Sequence, residues 1–278
     1  MTRSIDSAPI CFIGGGNMAS SLIGGLIKGG HPASLITVVD PGAEPRERLR
    51  AEFEVNTAEH LDGTAPTGAV VIAVKPHIVE SACATLAPQL GGDCVVVSVA
   101  AGTRSTDIDR WLGGDRHVVR CMPNTPALYG EGASVLFAND SVSPEQRNLA
   151  EFILAAGGKT WWVDFEPQLD AVTALSGSGP AYGFLLIEAM ADAGRALGLD
   201  AELAEQLAVQ TLLGAATMAT HDPRSPATLR EGVTSKGGTT AAALNAFESG
   251  GFRNLVATAM TAARDRAQEL AEPNGDTP

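Results

Sequence analysis

One stretch near the N-terminus decides the fold, namely Ile10-Cys11-Phe12-Ile13-Gly14-Gly15-Gly16-Asn17-Met18-Ala19. Its apolar beginning predicts a buried strand, and the apolar spacing after the glycines predicts a helix. Gly14 permits a tight turn, Gly16 lets the backbone approach a pyrophosphate, and Ala19 allows the helix to pack closely on the strand. Since a helix N-terminus favours anions, we expect dinucleotide binding here rather than an ordinary turn. The predicted cofactor-binding residues of this stretch are Ile13, Gly14, Gly15, Gly16, Asn17, Met18 and Ala19.

Size and charge narrow the class of protein. The chain has 278 residues and a formal net charge of −13. This length suffices for two domains, and the acidity disfavours nucleic acid or an anionic membrane surface as a partner. No apolar run reaches the ~18 residues of a membrane-spanning helix, and no signal-peptide core precedes the glycine motif. We therefore expect a cytoplasmic protein.

Cysteine and histidine form no metal-ligand pattern in the sequence. There is no Cys-x-x-Cys pair, and most of the cysteines lie in or beside apolar runs, which predicts buried thiols rather than disulfides or metal ligands. The cysteines are Cys11, Cys83, Cys94 and Cys121. The five histidines each stand alone in the sequence, so we expect neither a catalytic histidine nor a metal site.

Buried strands alternate with helices through residues 1–164. After the first strand, further strands are predicted at 35–39, 70–74, 94–99 and 118–121, and a helix over 143–156 is followed by a short run at 160–163. The alternation predicts an α/β Rossmann domain with a doubly wound, mostly parallel sheet over residues 1–164. Ligands of such sheets bind at the carboxyl ends of the strands. The polar or small residues at those ends are Asp40, Lys75, Ala101 and Asn124.

From residue 165 onward the pattern becomes helical. Apolar residues recur at helical spacing over 181–197, 201–219, 241–248 and 252–270, which predicts an all-α domain over residues 165–278. The first of these helices is apolar nearly all round, so we expect it to be buried in a core and in an interface. A short domain with two long apolar helices is expected to form a homodimer.

Two stretches of the helical half differ from ordinary core sequence. Residues 175–182 place serines, glycines and a proline at the start of a helix, and residues 233–240 place hydroxyls and glycines ahead of another. Hydroxyls, adjacent backbone N–H groups and a helix N-terminus suit a carboxylate. Helix capping by serine and threonine is the alternative explanation. Two such loops beside a nucleotide domain favour a ligand.

Five motifs carry a family resemblance. They are residues 13–19, Ala73-Val74-Lys75-Pro76, Met122-Pro123-Asn124-Thr125-Pro126, residues 176–182 and, most specifically, Val233-Thr234-Ser235-x-Gly237-Gly238-x-Thr240. On these motifs the chain resembles the pyrroline-5-carboxylate reductase family over nearly its full length. The resemblance implies an NAD(P)H-dependent oxidoreductase that reduces the C=N bond of 1-pyrroline-5-carboxylate to give L-proline, the last step of proline biosynthesis. It also implies a small-molecule substrate and a homodimer, often within a ring of dimers.

The resemblance further implies particular site residues. Beyond the glycine turn, the family's cofactor contacts correspond to Val74, Lys75, Pro76 and Ala101. Its substrate loop corresponds to Ser235, Gly237, Gly238, Thr239 and Thr240. The hydroxyl of Thr240 then lies against the reacting ring nitrogen and is the implied catalytic group, while Glu166 falls where some members have an acid near the substrate. Lys236 departs from the pattern because the family usually has proline there, and residues 220–226 lack the glutamate and the His-Pro pair of many members.

Other functions are weighed against this one. Hydride transfer to a protonated imine needs no strong protein acid, which fits a site of hydroxyls and glycines. A β-hydroxyacid dehydrogenase, or another imine-reducing oxidoreductase, is the first alternative. Such a dehydrogenase needs a lysine with an asparagine four residues on, whereas the only lysine after residue 164 is Lys236. A non-catalytic NAD(P)-sensing protein is the second alternative, and it has no need of the 233–240 loop.

The choice between NADPH and NADH is open from the residues alone. Asp40 ends the second strand, where a carboxylate can bond a ribose 2′-hydroxyl, and this favours NADH. Arg46 and Arg48 follow closely and are either ligands of a 2′-phosphate or surface charges. Most of the family uses NADPH, so the resemblance implies NADPH, with NADH as the alternative.

Overall fold

A computed structural model of the chain describes residues 7–61, 63 and 68–271. The chain divides into two compact units, of which the first holds Met1–Ser178 with Ala263–Pro278 and the second holds Gly179–Ala262. The expected assignment of cofactor binding to residues 1–164, and of dimerisation and substrate binding to residues 165–278, stays a prediction.

The described part of the first unit contains one sheet of eight strands. In chain order they are β1 (Ile10–Ile13), β2 (Ile36–Val39), β3 (Asn56–Ala58), β4 (Ala69–Ile72), β5 (Val95–Ser98), β6 (His117–Met122), β7 (Gly132–Ala138) and β8 (Gly158–Trp162). Their order across the sheet is β3-β2-β1-β4-β5-β6-β7-β8. Neighbouring strands are parallel except β6 and β7, which are antiparallel. The strand order reverses between β1 and β4, which is where doubly wound sheets bind their ligands.

Helices follow or precede most strands. The first unit contains α1 (Asn17–Lys28), α2 (Ala43–Phe53), α3 (Val79–Leu86), α4 (Ser105–Trp111), α5 (Pro144–Ala155) and α6 (Gln168–Val172). The remaining helices are α7 (Gly179–Ala196), α8 (Ala201–His221), α9 (Pro226–Gly232), α10 (Thr239–Ser249) and α11 (Phe252–Ala271), the last of which ends in the first unit.

The core of the first unit lies on both faces of the sheet. Successive strand side chains point to opposite faces, so each inner strand contributes to two apolar clusters. Phe12 packs with Leu22 of α1 and Ile153 of α5 on one face. Val70 packs with Cys83 of α3 on the other. Since helices cover both faces, the carboxyl ends of the strands are left as the place for polar ligands.

This architecture confirms the predicted α/β class with a mostly parallel sheet, although periodicity does not predict two of the strands. β3 is a short polar edge strand, Asn-Thr-Ala. In β7 the buried positions alternate with more exposed ones, but two of them are Gly132 and Ser134. A strand whose inward residues are small or polar has no apolar alternation, so its sequence does not mark it as a strand.

The described part of the second unit is helical, as predicted. α7 and α8 approach closely at Gly194, where a Cβ would lie 3.2 Å from the Cβ of Ala204. The expected burial of the 181–197 helix is wrong within a single chain, since Phe184 and Leu185 are 60% and 66% exposed. Apolar surface of this kind marks an interaction site, which agrees with the interface part of the expectation. None of the described helices combines the length and hydropathy needed to cross a membrane.

Candidate functional site

The turn between β1 and α1 requires glycine at its first position. Gly14 has a φ of 99°, in the left-handed region that glycine alone adopts without strain. Its N–H donates to the carbonyl of Val39 over 2.8 Å. A Cβ there would lie 2.8 Å from the carbonyl oxygen of Ala73 and 2.9 Å from Cγ1 of Val74. The turn is therefore wedged tightly against the end of β4.

Gly16 is different, because space rather than crowding surrounds it. It precedes the first residue of α1 with an extended backbone, and no side chain caps that helix. No described atom lies within 4 Å of the position that a Cβ would take. The first N–H groups of a helix have no intrahelical acceptor, and with the helix dipole they attract anions. The open cradle at Gly16 and these donors fit a pyrophosphate.

Asp40 connects the glycine turn to the next βα turn. Its Oδ2 accepts a hydrogen bond from the N–H of Gly15 over 2.7 Å. Its Oδ1 accepts one from the N–H of Gly42 over 2.8 Å. A carboxylate has about four lone-pair sites, so these bonds leave acceptor capacity for a ribose hydroxyl. The contact of Asp40 with the ribose stays a prediction.

Arg46 and Arg48 both donate to backbone carbonyls of these turns. Nη1 of Arg46 bonds the carbonyl of Asp40 at 2.6 Å, and Nη2 of Arg48 bonds that of Gly15 at 2.8 Å. Arg46 also lies 3.6 Å from Oε2 of Glu59. The two guanidinium groups are thus held beside the end of β2, where the 2′ position of an adenosine ribose binds in such folds.

The other predicted cofactor residues lie at the ends of adjacent strands. Val74 and Lys75 follow β4, and Pro76 begins a short 3-10 turn there. Ala101 lies in an exposed turn after β5. Because β1, β4 and β5 are neighbours in the sheet, these residues share one edge with the glycine turn. A dinucleotide lying along that edge would meet all three strand ends.

Asn124 has a clear structural role. Its Oδ1 accepts from the N–H of Ala133 over 2.8 Å, and its Nδ2 donates to the carbonyl of Ser176 over 3.0 Å. The side chain therefore ties the loop after β6 to β7 and to the segment that leads out of the first unit. Its expected contact with the cofactor stays a prediction.

Glu166 is embedded in hydrogen bonds of the first unit. Its Oε1 accepts from the N–H of Ser105 over 2.7 Å and from Nη1 of Arg120 over 3.1 Å. Its Oε2 accepts from the hydroxyl of Ser105 over 2.7 Å. The carboxylate is thus engaged by three donors, and the substrate contact implied by the resemblance stays a prediction.

The 175–182 stretch was expected to be a loop at a helix start, and this expectation is wrong for Leu175 to Gly177. These residues lie in a π-helical turn, Thr173–Gly177, in which the N–H of Ser178 donates to the carbonyl of Thr173 over 2.8 Å. Gly177 faces Cε of Met122 so closely that a Cβ would overlap it. Single π turns of this kind are frequent at functional sites.

In the second unit, the 233–240 loop makes a compact turn ahead of α10. Gly237 has a φ of 73°, and the N–H of Gly238 donates to the carbonyl of Ser235 over 3.0 Å. Gly238 precedes α10, and no side chain caps this helix. Thr239 and Thr240 are its first two residues, so their hydroxyls are not capping groups. Capping of α10 therefore does not explain the hydroxyls of Thr239 and Thr240, whereas the hydroxyl of Thr234 donates to the carbonyl of Arg230 in α9 over 2.6 Å. The bare start of α10 suits a carboxylate.

Sequence reasoning missed a buried ion-pair cluster in the first unit. Arg120 is 2% exposed and Asp170 is 1% exposed, and Arg104 binds Asp170 through Nη2 and Oδ2 at 2.8 Å. The signal was an arginine inside the apolar strand Val118-Val119-Arg120-Cys121. A charge in a buried strand needs a partner, and the partner lies about 50 residues away in sequence, beyond the reach of local patterns.

The cysteines are free and buried, as predicted. Burial raises the pKa of Cys11, Cys83 and Cys94 to about 12, so their thiols are neutral and unreactive near pH 7. Within the described residues, no group of three His, Cys, Asp or Glu side chains is arranged to hold a metal ion.

Comparisons with known proteins agree with this geometry. The family model described as pyrroline-5-carboxylate reductase dimerisation matches residues 166–270, and the model described as NADP oxidoreductase coenzyme F420-dependent matches residues 9–102. A pyrroline-5-carboxylate reductase of Pseudomonas aeruginosa is 51% identical over 267 residues, which cover 96% of this chain and 98% of that protein.

Solved structures give the same result. The pyrroline-5-carboxylate reductase of Coxiella burnetii is 42% identical with a TM-score of 0.92, covering 96% of this chain and 100% of that one. The pyrroline carboxylate reductase of Plasmodium falciparum with NADP bound is 27% identical with a TM-score of 0.84, covering 97% of this chain and 100% of that one. With identity of this level along nearly the whole chain, the protein belongs to the pyrroline-5-carboxylate reductase family.

Proposed function

We propose that this protein reduces 1-pyrroline-5-carboxylate to L-proline with NADPH, and that NADH serves as the alternative cofactor. The observation that carries the proposal is the pair of uncapped helix starts, at Gly16 for a pyrophosphate and at Gly238 for a carboxylate. A reductase of a cyclic imino acid needs both, whereas a nucleotide-binding protein alone needs only the first.

In this proposal the glycine turn and the neighbouring strand ends hold the cofactor. The N–H groups at the start of α1 bind the pyrophosphate, and Asp40 with Arg46 and Arg48 surrounds the adenosine ribose. Val74, Lys75, Pro76 and Ala101 contact the remainder of the dinucleotide. The bound dihydronicotinamide supplies a hydride to the electrophilic carbon of the protonated imine.

The 233–240 loop holds the substrate. Its N–H groups and the hydroxyls of Ser235 and Thr239 bind the carboxylate of the imino acid, with Gly237 and Gly238 allowing close approach of the backbone. The hydroxyl of Thr240 accepts a hydrogen bond from the imine N–H and so fixes the ring orientation for hydride transfer. The proton stays on the nitrogen, which becomes the amine of proline. No protein acid has to ionise in this step.

The same proposal extends to assembly and location. The family is a homo-oligomer through its dimerisation domain, and we propose a dimer that assembles further into a ring. Residues 1–164 bind the cofactor, and residues 165–278 dimerise and bind the substrate.

We place the protein in the cytoplasm, since unpaired, buried thiols fit a reducing compartment. No nucleic-acid partner is proposed, because the chain carries a net charge of −13.

One assay separates this function from its alternatives. Purified protein is mixed with NADPH and 1-pyrroline-5-carboxylate, the absorbance of the dihydronicotinamide is followed, and proline is quantified in the product. We expect equal amounts of NADPH consumed and proline formed. A β-hydroxyacid dehydrogenase would instead oxidise 3-hydroxy acids with NADP⁺. An NAD(P)-sensing protein would bind NADPH, seen by its fluorescence, without consuming it.

A further inference from the structure

Four charged side chains form a cluster in the first unit, and one of them, Arg104, lies shortly after the turn that follows β5. Arg120 lies 3.1 Å from Oε1 of Glu166 and 4.0 Å from Oδ1 of Asp170. Arg104 lies 2.8 Å from Oδ2 of Asp170. The two cations and two carboxylates balance in charge, and Arg120 and Asp170 are almost fully buried. Charges so deeply buried hold a fixed geometry, because losing a partner leaves the other unsolvated.

Glu166 also fixes the start of α4. Its carboxylate accepts from both the N–H and the hydroxyl of Ser105, each over 2.7 Å. Ser105 is the first residue of α4, and the residue before it, Arg104, provides no side-chain cap. A carboxylate at a helix N-terminus is favoured by the helix dipole. Because Ala101 lies four residues earlier, the acids of 166–170 anchor the turn that carries this predicted cofactor contact.

β6 and the loop after it also hold the far end of residues 166–178. Side chains two residues apart on a strand point to the same face, so Arg120 and Met122 share a face of β6, and Asn124 lies in the loop just after it. Arg120 pairs with Glu166, Met122 lies against Gly177, and Asn124 donates to the carbonyl of Ser176 over 3.0 Å. An ion pair, an apolar contact and a hydrogen bond thus hold residues 166–178 at three points.

We propose that Arg120, Glu166 and Ser105 are positioning residues, which hold the cofactor turn at Ala101 and the segment 166–178 in register on β6. The proposal rests on the proposed function, since Ala101 is a cofactor contact only there. Glu166 then acts through Ser105 and Arg120 rather than by touching the substrate. A change anywhere in the cluster shifts the turn at Ala101 and therefore weakens cofactor binding.

A double-mutant cycle between Ser105 and Glu166 tests this role. The variants are Ser105→Ala, Glu166→Gln and the double variant, and each is titrated with NADPH by fluorescence without substrate. We expect each single variant to raise the Kd for NADPH about tenfold, the scale of one charge-assisted hydrogen bond. The double variant should be no weaker than the worse single variant, because both changes break the same contact. Ser105→Thr keeps the hydroxyl and should restore most of the affinity.

A matched control lies on the same helix. The exposed Arg110 pairs with Asp107 of α4, and Arg110→Met should leave the Kd for NADPH and the KM for the imino acid unchanged. If Glu166→Gln raises only this KM while Ser105→Ala is silent, Glu166 contacts substrate and the proposal is overturned. It is equally overturned if both variants lower Tm alone. Should Glu166→Gln fail to fold, the pair Ser105→Ala and Ser105→Thr decides between the same outcomes.

The cofactor titration also keeps this inference separate from the proposed function. It uses NADPH alone, so it gives a result whether or not the wild-type protein reduces 1-pyrroline-5-carboxylate. A wild type that forms no proline would refute the proposed reaction. An unchanged Kd in Ser105→Ala, with full proline formation, would refute the positioning role and leave the reaction standing.

Discussion

The helices α1 and α10 begin in the same way but in different surroundings. Each is preceded by a glycine with extended backbone, Gly16 or Gly238, and neither has a side-chain cap. The chain does use such caps elsewhere, since Ser143 caps α5 and Asp200 caps α8. A side-chain acceptor at α1 or α10 would compete with a bound anion for the same N–H groups. Side-chain caps are also absent from α2, α3, α4 and α6, so a bare helix start permits anion binding, and it is the sequence motifs that select α1 and α10 as the proposed ligand sites.

The two helices differ in what supports them. α1 packs fully buried side chains such as Leu22 and Ile23 against the sheet, whereas α10 has no buried residue in the described chain. The core of a single chain therefore supports the glycine turn between β1 and α1. The predicted substrate loop lies in a unit whose large apolar side chains are mostly exposed, so we predict that contact with a second copy makes it rigid. We therefore predict that one chain can hold the cofactor, while catalysis depends on assembly.

The largest expected effect comes from breaking the assembly. Leu185→Asp places a charge on the exposed apolar face of α7, and burying it unpaired in an interface would cost roughly 3–5 kcal/mol. We expect a monomer by analytical ultracentrifugation and a loss of more than about 100-fold in kcat/KM. NADPH affinity should stay close to that of wild type. Leu185→Met is the control, and a Leu185→Asp protein that remains dimeric and active would show that the interface lies elsewhere.

Two glycine variants in the turn between β1 and α1 distinguish a loss of cofactor binding from a loss of stability. Gly16→Ala fills an open cradle, so stability should hold while the Kd for NADPH rises roughly 100-fold, or about 2.7 kcal/mol. Gly14→Ala forces a Cβ against Ala73 at a φ of 99°, so it should lower Tm by several degrees as well. Thermal melts without cofactor and fluorescence titrations measure the two effects. Equal loss of stability in both variants would contradict a cofactor role for Gly16.

The third effect sharpens the comparison at α10. Thr240 is the second residue of an uncapped helix, so Thr240→Ala removes no cap and keeps good helix propensity. A lost hydrogen bond to a charged group costs roughly 1.5–3 kcal/mol. We therefore expect kcat/KM for 1-pyrroline-5-carboxylate to fall at least ~10-fold, with the Kd for NADPH unchanged. Thr240→Ser should recover most of the activity. An alanine variant with full kcat/KM would refute the proposed substrate site.

An element of this fold can be predicted from the sequence when the interactions that form it join residues close together in the chain. The glycine turn and the inner strands are predictable because their signal lies within about a dozen neighbouring residues. β7 is not, since Gly132 and Ser134 at its buried positions carry no apolar pattern. The burial of α7 depends on a second copy, so periodicity shows an apolar helix but not what covers it.

In the candidate site, too, the features set by local motifs were predicted and those set by long-range contacts were not. The 233–240 loop was found from a motif, and its uncapped helix start agrees with a ligand rather than a cap. The π turn at Thr173–Gly177 was not predicted, because it depends on Met122 packing against Gly177. The pairing of Arg120 with Glu166 likewise joins a strand to the turn before α6, 46 residues away. Such contacts come from the fold and leave no local pattern.

The fourth prediction concerns the cofactor choice. Asp40 braces Gly15 and Gly42 through its two carboxylate oxygens, and its charge opposes a 2′-phosphate. Asp40→Ser should raise the NADPH/NADH ratio of kcat/KM about tenfold, which corresponds to ~1.4 kcal/mol. The lost brace should weaken both cofactors together, a change that cancels in the ratio. Asp40→Asn keeps one acceptor and is the control for the brace. An unchanged ratio would mean that Asp40 does not face the ribose.

The smallest effect is expected at Lys236, which stands where the family usually has proline. Its side chain is exposed in the turn before Gly237, and we predict that its ammonium attracts the substrate carboxylate. Exposed charge pairs contribute only about 0.2–1 kcal/mol, so KM should change by roughly 1.4- to fivefold on removing the charge. Lys236→Gln removes the charge, and Lys236→Pro removes it while stiffening the turn.

Salt separates these two effects of Lys236. Screening shortens the Debye length from about 10 Å at 0.1 M to about 3 Å at 1 M ionic strength, so KM of the wild type should rise with salt. The rise in KM should be smaller in Lys236→Gln and Lys236→Pro, which lack the charge. A lower KM in the proline variant than in the glutamine variant at high salt would then measure the effect of rigidity alone. Lys236→Arg keeps the charge and should follow wild type. If all four proteins respond equally to salt, the charge at position 236 does not reach the substrate, and the bare N–H groups of α10 bind the carboxylate without it.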